Sequence, residues 1–332
     1  MTSNTTVFVS SGAAREVFRW EDSIKALQST YSRPQTPPAT PPRTIARGEK
    51  SWLRTLPAIP PGGRYFGAKL MGMSLGARSP GVEYVIVLFD RQTSRIAAFV
   101  DGNIVTGYRT AATSAAALDR LARPGPASLA VLGSGLEASM HTRAFASIRP
   151  LSEVRVFSPT PERRNSFVEA VTRDLGIPAR AAALPQDAVE GAEVILAAAR
   201  SRGEIPILYG SWIEPRAIVI SIGSTVPEQR EVDISVVERS DLIVCDTLEE
   251  VLEQSGDMIA ARDAGIACHE KCISLAALMS GACDQRVRAA TAPMFKSVGG
   301  GLQDIVVAEL ILTRAMQAGL AIPLPITFET KH

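Results

Sequence analysis

Residues 129–138 read Leu-Ala-Val-Leu-Gly-Ser-Gly-Leu-Glu-Ala. Four apolar residues run into a GxGxxA turn and then into a helix-forming segment. Gly133 permits the tight turn, Gly135 lets the backbone come close to a pyrophosphate, and Ala138 keeps the helix near the sheet. The N–H groups that open the helix then favour an anion. Gly clusters also make ordinary turns, so the surroundings decide. An apolar strand at 128–132 precedes this turn, a helix at about 137–148 follows it, and a second strand at 154–158 comes next. That order predicts a dinucleotide site built on Gly133, Ser134, Gly135 and Leu136.

The end of the second strand bears on which cofactor fits. An NAD-binding fold places an acidic residue about 20 residues beyond the turn, on the ribose 2′-hydroxyl. Here Ser158 stands 23 residues after Gly135, with Thr160, Arg163 and Arg164 just beyond. A carboxylate would repel a 2′-phosphate, whereas hydroxyls and guanidinium groups hold one. NADP(H) is therefore expected over NAD(H). Further apolar strands at 194–198, 217–222 and 242–245 alternate with helices. This implies a parallel sheet covered on both faces, an α/β fold of Rossmann-type, doubly wound design.

Upstream the pattern is different. Residues 13–30 carry Val17, Phe18, Ile24 and Leu27 at helical spacing and predict one amphipathic helix. The Pro/Thr-rich stretch 32–42 can be neither a regular helix nor an inner strand. Strand-like segments at 65–70, 84–90 and 96–100 follow with no long helix between them, the pattern of an antiparallel or mixed sheet. A small-residue helix at 110–121 is stopped by Arg123-Pro124-Gly125-Pro126, which places a boundary near Pro124.

Composition narrows the function classes. The 332 residues carry a net charge of +1 and are 46% hydrophobic, which argues against disorder and against nucleic acid as the main partner. The longest apolar runs, 85–89 and 217–222, fall far short of the ~20 residues that span a bilayer, and no secretion signal is evident. No membrane association is expected. Four cysteines, all in the last third, suit a reducing cytoplasm. The stretch Cys268-His269-Glu270-Lys271-Cys272 lacks a second ligand pair and includes a lysine, so helix-face thiols are expected there and no metal site. Of 35 basic residues only six are lysine, so a lysine in an apolar, Gly-rich setting stands out. Lys69 is one.

Four segments together resemble the ornithine cyclodeaminase/mu-crystallin family. They are Gly67-Ala68-Lys69-Leu70, Gly107-Tyr108-Arg109-Thr110-Ala111-Ala112, the Gly133 turn, and Phe295-Lys296-Ser297-Val298-Gly299 leading to Gln303-Asp304. The resemblance runs over about residues 40–320. It implies a Rossmann dinucleotide-binding domain at 123–304. It also implies a mixed α+β substrate-binding and dimerisation domain made from 1–122 and 305–332, joined as a homodimer. By motif match, Arg43, Lys69 and Arg109 would hold the α-carboxylate of a small α-amino or α-imino acid. Lys69 would also serve as proton donor or relay, its pKa lowered by desolvation and two neighbouring arginines. Asp304, at an expected helix start where it could instead be a cap, would face the substrate nitrogen or the nicotinamide. Residues 221–225, Ser224 among them, would lie under the nicotinamide.

Departures from the family pattern narrow the reaction. Cyclodeaminases resemble this chain but carry acidic residues where Arg54 and Thr225 stand. Without them a basic side chain loses its countercharge and an acid/base group. The segment Ala198-Ala199-Arg200-Ser201 also lacks the family's usual Thr. Hydride transfer to or from the α-carbon of an α-amino or α-imino acid is the expected reaction. Cyclodeamination and non-catalytic NADPH binding are the alternatives. His141 and His332 are assigned no chemistry.

Overall fold

The computed structural model describes residues 5–74, 81–199 and 205–329. The chain divides into two compact units, Met1–Arg109 with Gly300–His332, and Thr110–Gly299. The expected boundaries lay at 122/123 and 304/305. The division instead falls within a helix, Gly102–Leu121, and at the Gly299-Gly300 step. No helix among the described residues is long and apolar enough to cross a membrane.

The first unit is built on a sheet whose strands are β1 (Val7–Val9), β2 (Thr44–Arg47), β3 (Ser51–Ala58), β4 (Tyr65–Ser74), β5 (Val82–Asp90) and β6 (Ile96–Asp101). Its order is Ile322–Pro323, β1, β6, β5, β4, β3, β2. β1 runs parallel to β6, and the other neighbours are antiparallel, the mixed sheet expected here. The helix Gly301–Gln317 returns the chain to this unit and packs on β3, β4 and β5. Its first residue has to be glycine: a Cβ on Gly301 would lie 2.7 Å from the carbonyl oxygens of Leu56 and Pro57.

The single helix expected at 13–30 is two helices, α1 (Ser11–Val17) and α2 (Trp20–Tyr31). Phe18 and Arg19 between them are extended, with ψ near 142° and 128°. Tertiary packing overrides the helical period at this point. Phe18 stacks face to face on Tyr108, ring centroids 3.8 Å apart, and meets Trp20 edge-on. Ile24 and Leu27 are still buried, each contributing roughly 1.5–3 kcal/mol by leaving water.

Helix α3 (Gly102–Leu121) begins eight residues before the expected 110. Its true start is marked by Asp101, whose carboxylate accepts the Asn103 N–H at 3.0 Å. Arg109 therefore lies inside the helix and does not open it.

The second unit carries β7 (Ala127–Leu132), α4 (Leu136–Ile148), β8 (Leu151–Phe157), α5 (Pro161–Leu175), β9 (Ala179–Ala181), β10 (Val194–Ala197), β11 (Ile218–Ser221), β12 (Leu242–Cys245), β13 (Cys272–Ser274) and β14 (Pro293–Lys296). All eight strands are parallel, in the order β13-β12-β14-β11-β10-β7-β8-β9. From β7 the sheet grows first through β8 to β9, then in the other direction through β10 and β11. The reversal makes a topological switch point at the carboxyl end of β7, where such folds bind ligands, and Gly133 stands there. The doubly wound Rossmann-type reading holds, and strands β7, β10, β11, β12 and β14 are buried throughout. Cys268 lies on a short helix, Cys268–Lys271, but Cys272 opens β13, so the two are not thiols of one helix face.

Candidate active site

In the first unit, Lys69 lies in mid-β4, paired across the sheet with Leu56 and Ile86. It is 1% exposed, so it does not snorkel to water. Its Nζ donates to Asp304 Oδ1 at 2.8 Å and to Thr106 Oγ1 at 3.4 Å. Arg109 Nε lies 3.0 Å from the same Asp304 oxygen, and its Nη1 donates to Gln303 Oε1 at 2.9 Å. Gln303 Nε2 continues the network to the Tyr31 hydroxyl at 3.2 Å.

Asp304 is fully buried in the first turn of helix Gly301–Gln317. It is no cap: Gly300 occupies that position, without a side-chain capping bond. Its second oxygen, Oδ2, is buried and has no hydrogen-bond partner among the described residues. A buried acceptor left unmet costs about 1–3 kcal/mol, and such groups collect at sites that bind or react.

Burial pushes the Lys69 ammonium down to about 7, Arg109 and Arg43 push the same way, and Asp304 opposes them. Arg43, half-buried just ahead of β2, is thus near enough to act on Lys69. The fold brings Arg43, Lys69, Arg109 and Asp304 together from four elements or their edges.

In the second unit the phosphate turn has the geometry its glycines imply. Gly133 has φ +118°, and a Cβ there would lie 2.6 Å from the Ala198 carbonyl oxygen. Its N–H donates to Phe157 O at 2.8 Å, tying the turn to β8. Beside Gly135, nothing stands within 4 Å of where a Cβ would be. Helix α4 starts with no side-chain cap, so an anion can take its first N–H groups. These residues fit a dinucleotide pyrophosphate.

At the end of β8, Ser158 is buried, accepting from Ser134 Oγ at 2.9 Å and donating to Thr160 O at 3.3 Å. Thr160 and Arg163 are exposed beyond it, as is Leu136 after the turn. Arg164 instead folds back, donating to Ser158 O at 3.3 Å and lying over the Phe157 ring. No carboxylate ends this strand.

Ser224 departs from expectation. Its hydroxyl donates to Gln229 O at 2.6 Å and lies 3.2 Å from Ser255 Oγ, so its side chain is committed within the loop and only its backbone is left to face a ligand. Thr225 is held likewise, its N–H and hydroxyl directed at Gln229 Oε1.

A second buried ionic cluster escaped the sequence reading. Lys296, the last residue of β14, is fully buried and donates to Asp257 Oδ2 and to Ser221 Oγ, each at 2.7 Å. Asp257 Oδ1 accepts the N–H groups of Glu231 and Val232 at 2.7 and 3.2 Å, with Arg230 Nε at 3.5 Å. Glu231 Oε2 accepts Ser221 Oγ at 2.8 Å, Ile222 N–H at 3.1 Å and Gly223 N–H at 2.8 Å. Burial pushes the Glu231 carboxyl up to about 7, Lys296 opposing and Asp257 assisting. The signal was available: lysine is as rare at 296 as at 69, and the run Pro-Met-Phe before it is apolar. Nearby, the Asp246 carboxylate accepts Ser297 Oγ at 2.7 Å and the Val298 and Gly299 N–H groups at 3.1 and 2.8 Å.

His141 is structural. Its Nδ1–H donates to Glu137 O at 2.7 Å and its Nε2 accepts from Ser114 at 3.0 Å, a tautomer assigned from these partners. A cleft of about 530 Å³ opens at the amino ends of β7, β10, β11 and β14, the opposite end of the sheet from Gly133, and contains none of the expected site residues. Arg200, Ser201 and His332 lie outside the described residues.

The profile of the ornithine cyclodeaminase/mu-crystallin family matches residues 6–319. The ketimine reductase mu-crystallin of Mus musculus is 33% identical over 232 residues, 70% of this chain and 69% of that protein. A Δ1-pyrroline-2-carboxylate reductase of Paracoccus denitrificans is 28% identical over 315 residues, 92% of this chain and 95% of that protein. A solved Δ1-pyrroline-2-carboxylate reductase of Thermococcus litoralis, in complex with NADH and L-proline, shares the fold. Its TM-score is 0.85 at 23% identity, covering 96% of this chain and 100% of that one.

Proposed function

Because the chain belongs to the ornithine cyclodeaminase/mu-crystallin family, we propose that it is an NADPH-dependent reductase of cyclic or open-chain α-imino acids, running in reverse as an amino-acid dehydrogenase. The relatives named above are reductases of C=N bonds, and the observation that carries the reading is the buried Lys69–Asp304–Arg109 cluster. Two cations share one carboxylate oxygen, and the other oxygen is left to receive a donor.

Arg43, Lys69 and Arg109 hold the substrate carboxylate and fix the α-carbon. Asp304 Oδ2 accepts the N–H of the imine, favouring its protonated, electrophilic form. A reduced dinucleotide, which Gly133, Ser134, Gly135 and Leu136 would hold, would supply the hydride that the α-carbon accepts. The C=N π electrons move to nitrogen, which becomes the amine. Where the imine arrives neutral, the Lys69 ammonium, poised near 7, provides the missing proton.

Ser158, Thr160 and Arg163 favour the 2′-phosphate, because no carboxylate stands there to repel it. The exposed Leu53, Met316, Ile322, Ile326 and Phe328 of the first unit support a homodimer through that unit, which light scattering tests. A cytoplasmic setting belongs to the same reading, supported by four free cysteines.

The test is oxidation of NADPH, followed by its near-ultraviolet absorbance, with pyrroline-2-carboxylate, piperideine-2-carboxylate, and pyruvate plus ammonia or amines. Turnover with at least one is expected. Tight NADPH binding without any turnover would favour a non-catalytic binder, and proline with ammonia from ornithine and catalytic NAD would favour cyclodeamination. A kcat/KM for NADH equal to or above that for NADPH would overturn the cofactor preference.

A further inference from the structure

The Lys296–Asp257–Glu231 cluster takes no part in the chemistry proposed above, yet its geometry is directed at one segment. Residues 221–223 leave the carboxyl end of β11, two strands from the Gly133 turn on the growing edge of the sheet. Three donors of this segment, Ser221 Oγ and the Ile222 and Gly223 N–H groups, converge on the single oxygen Oε2 of Glu231. The Ile222 N–H is shared with the ladder, reaching Ala197 O on β10 at 3.2 Å, and the Gly223 N–H lies past the end of β11. A carboxylate accepting several N–H bonds is a strong, directional clamp.

The clamp is itself held from behind. Glu231 is fixed by its own N–H to Asp257 Oδ1, and Asp257 by Lys296 and by Arg230. Lys296 also holds Ser221 from the other side. The charged groups facing Glu231 are thus Lys296 from β14, Asp257 from helix Gly256–Asp263, and the neighbouring Arg230. Gly223 leaves room for the arrangement: a Cβ there would fall 2.1 Å from Glu231 Oε1.

Building on the dinucleotide reading, we propose that Glu231 is a positioning residue. Through Oε2 it fixes the backbone of residues 221–223 as the ledge against which the nicotinamide end of the cofactor is ordered. It touches neither substrate nor the reacting atoms, and its effect is confined to one end of the ligand. The adenine, the 2′-phosphate and the pyrophosphate rest on β7, α4 and β8, which the clamp does not touch.

That asymmetry supplies the test. NADPH and 2′-phospho-ADP-ribose, which lacks the nicotinamide, are titrated calorimetrically into the full chain and into Glu231→Ala, Glu231→Asp and Glu231→Gln. Glu231→Ala is expected to weaken NADPH roughly 10- to 30-fold, the loss of a few modest hydrogen bonds, and to leave the fragment within about twofold. Glu231→Gln keeps an acceptor at the same place and should recover most of the NADPH affinity. Should Glu231→Ala not fold, Glu231→Asp, which retracts the carboxylate by one methylene, gives the same comparison at smaller amplitude. Equal weakening of both ligands, or no change in either, would overturn the ledge. A wild-type chain that binds neither ligand would overturn the dinucleotide reading and the ledge with it. Failure to reduce any imine, with the binding contrast intact, would count against the reductase alone.

Discussion

Among the described residues two lysines are buried, each against a buried aspartate, one in each unit. Lys296 lies 2.7 Å from Asp257 and Lys69 lies 2.8 Å from Asp304. What differs is how fully their partners are satisfied. Around Lys296, Ser221 is a second close partner and both Asp257 oxygens are engaged. Around Lys69 the second contact is a 3.4 Å reach to Thr106, Arg109 competes for the same oxygen, and Asp304 Oδ2 is unmet. A buried aspartate with both oxygens engaged holds backbone in place, whereas one with a spare oxygen can receive a further donor. In the Lys296 cluster the spare oxygen is Glu231 Oε1, which faces Gly223.

The sharpest way to break this contrast is to remove each lysine. Lys69→Ala should cut kcat by about 10²–10⁴ while calorimetry finds NADPH affinity unchanged, Arg109 still pairing Asp304. Lys296→Met should do the reverse in kind. Taking one partner from a buried ion pair whose aspartate has both oxygens engaged costs about 3–5 kcal/mol, read as a lower urea midpoint at unchanged slope. A Lys296→Met chain as stable as wild type would remove the structural role argued for that cluster.

Arg109→Ala separates binding from chemistry within the first cluster. It should lower kcat/KM by about 2–5 kcal/mol, chiefly through the substrate KM. Unchanged kinetics would take Arg109 out of the clamp. The smallest expected effect is the pH dependence. With Lys69 lowered to about 7, reduction needs its protonated form, so kcat/KM should be level below 7 and fall roughly tenfold per unit above it. Stability follows a different sign at each cluster. The depressed Lys69 value adds stability at high pH that is lost as pH falls through the range toward 7. The raised Glu231 value adds stability at low pH that is lost as pH rises to 7. Unfolding measured against pH should therefore show stability falling up to about 7 through Glu231 and rising above 7 through Lys69, with its minimum between the two.

Much of the second unit was legible because its strands are continuous apolar runs bounded by turn residues, and the Gly133 turn is a local motif. β14 was not, since four residues between loops give no period to read, although the strand enters the sheet between β11 and β12. The break at Phe18–Arg19 was hidden for the opposite reason. The helical period runs straight through it, and only the stacking partner Tyr108, distant in sequence, stops the helix. Lys69 was visible through rarity and apolar context, and the same two signals mark Lys296. Nothing local marks Glu231 or Asp257, whose neighbours are ordinary polar residues.

By itself, the sequence determined the strand–turn–helix cradle, the absence of a carboxylate at the end of β8, and the isolated Lys69. These depend on residues close together in the chain or on residue type alone; Arg43 and Arg109 came only through the family resemblance. Tertiary structure decided which oxygen of Asp304 is spent and which is left, and that Glu231 gathers three donors from the end of β11. Both depend on side chains separated by many residues meeting within 3 Å or so in a medium without water. There burial sets the strength of every charge, and no spacing along the chain records it.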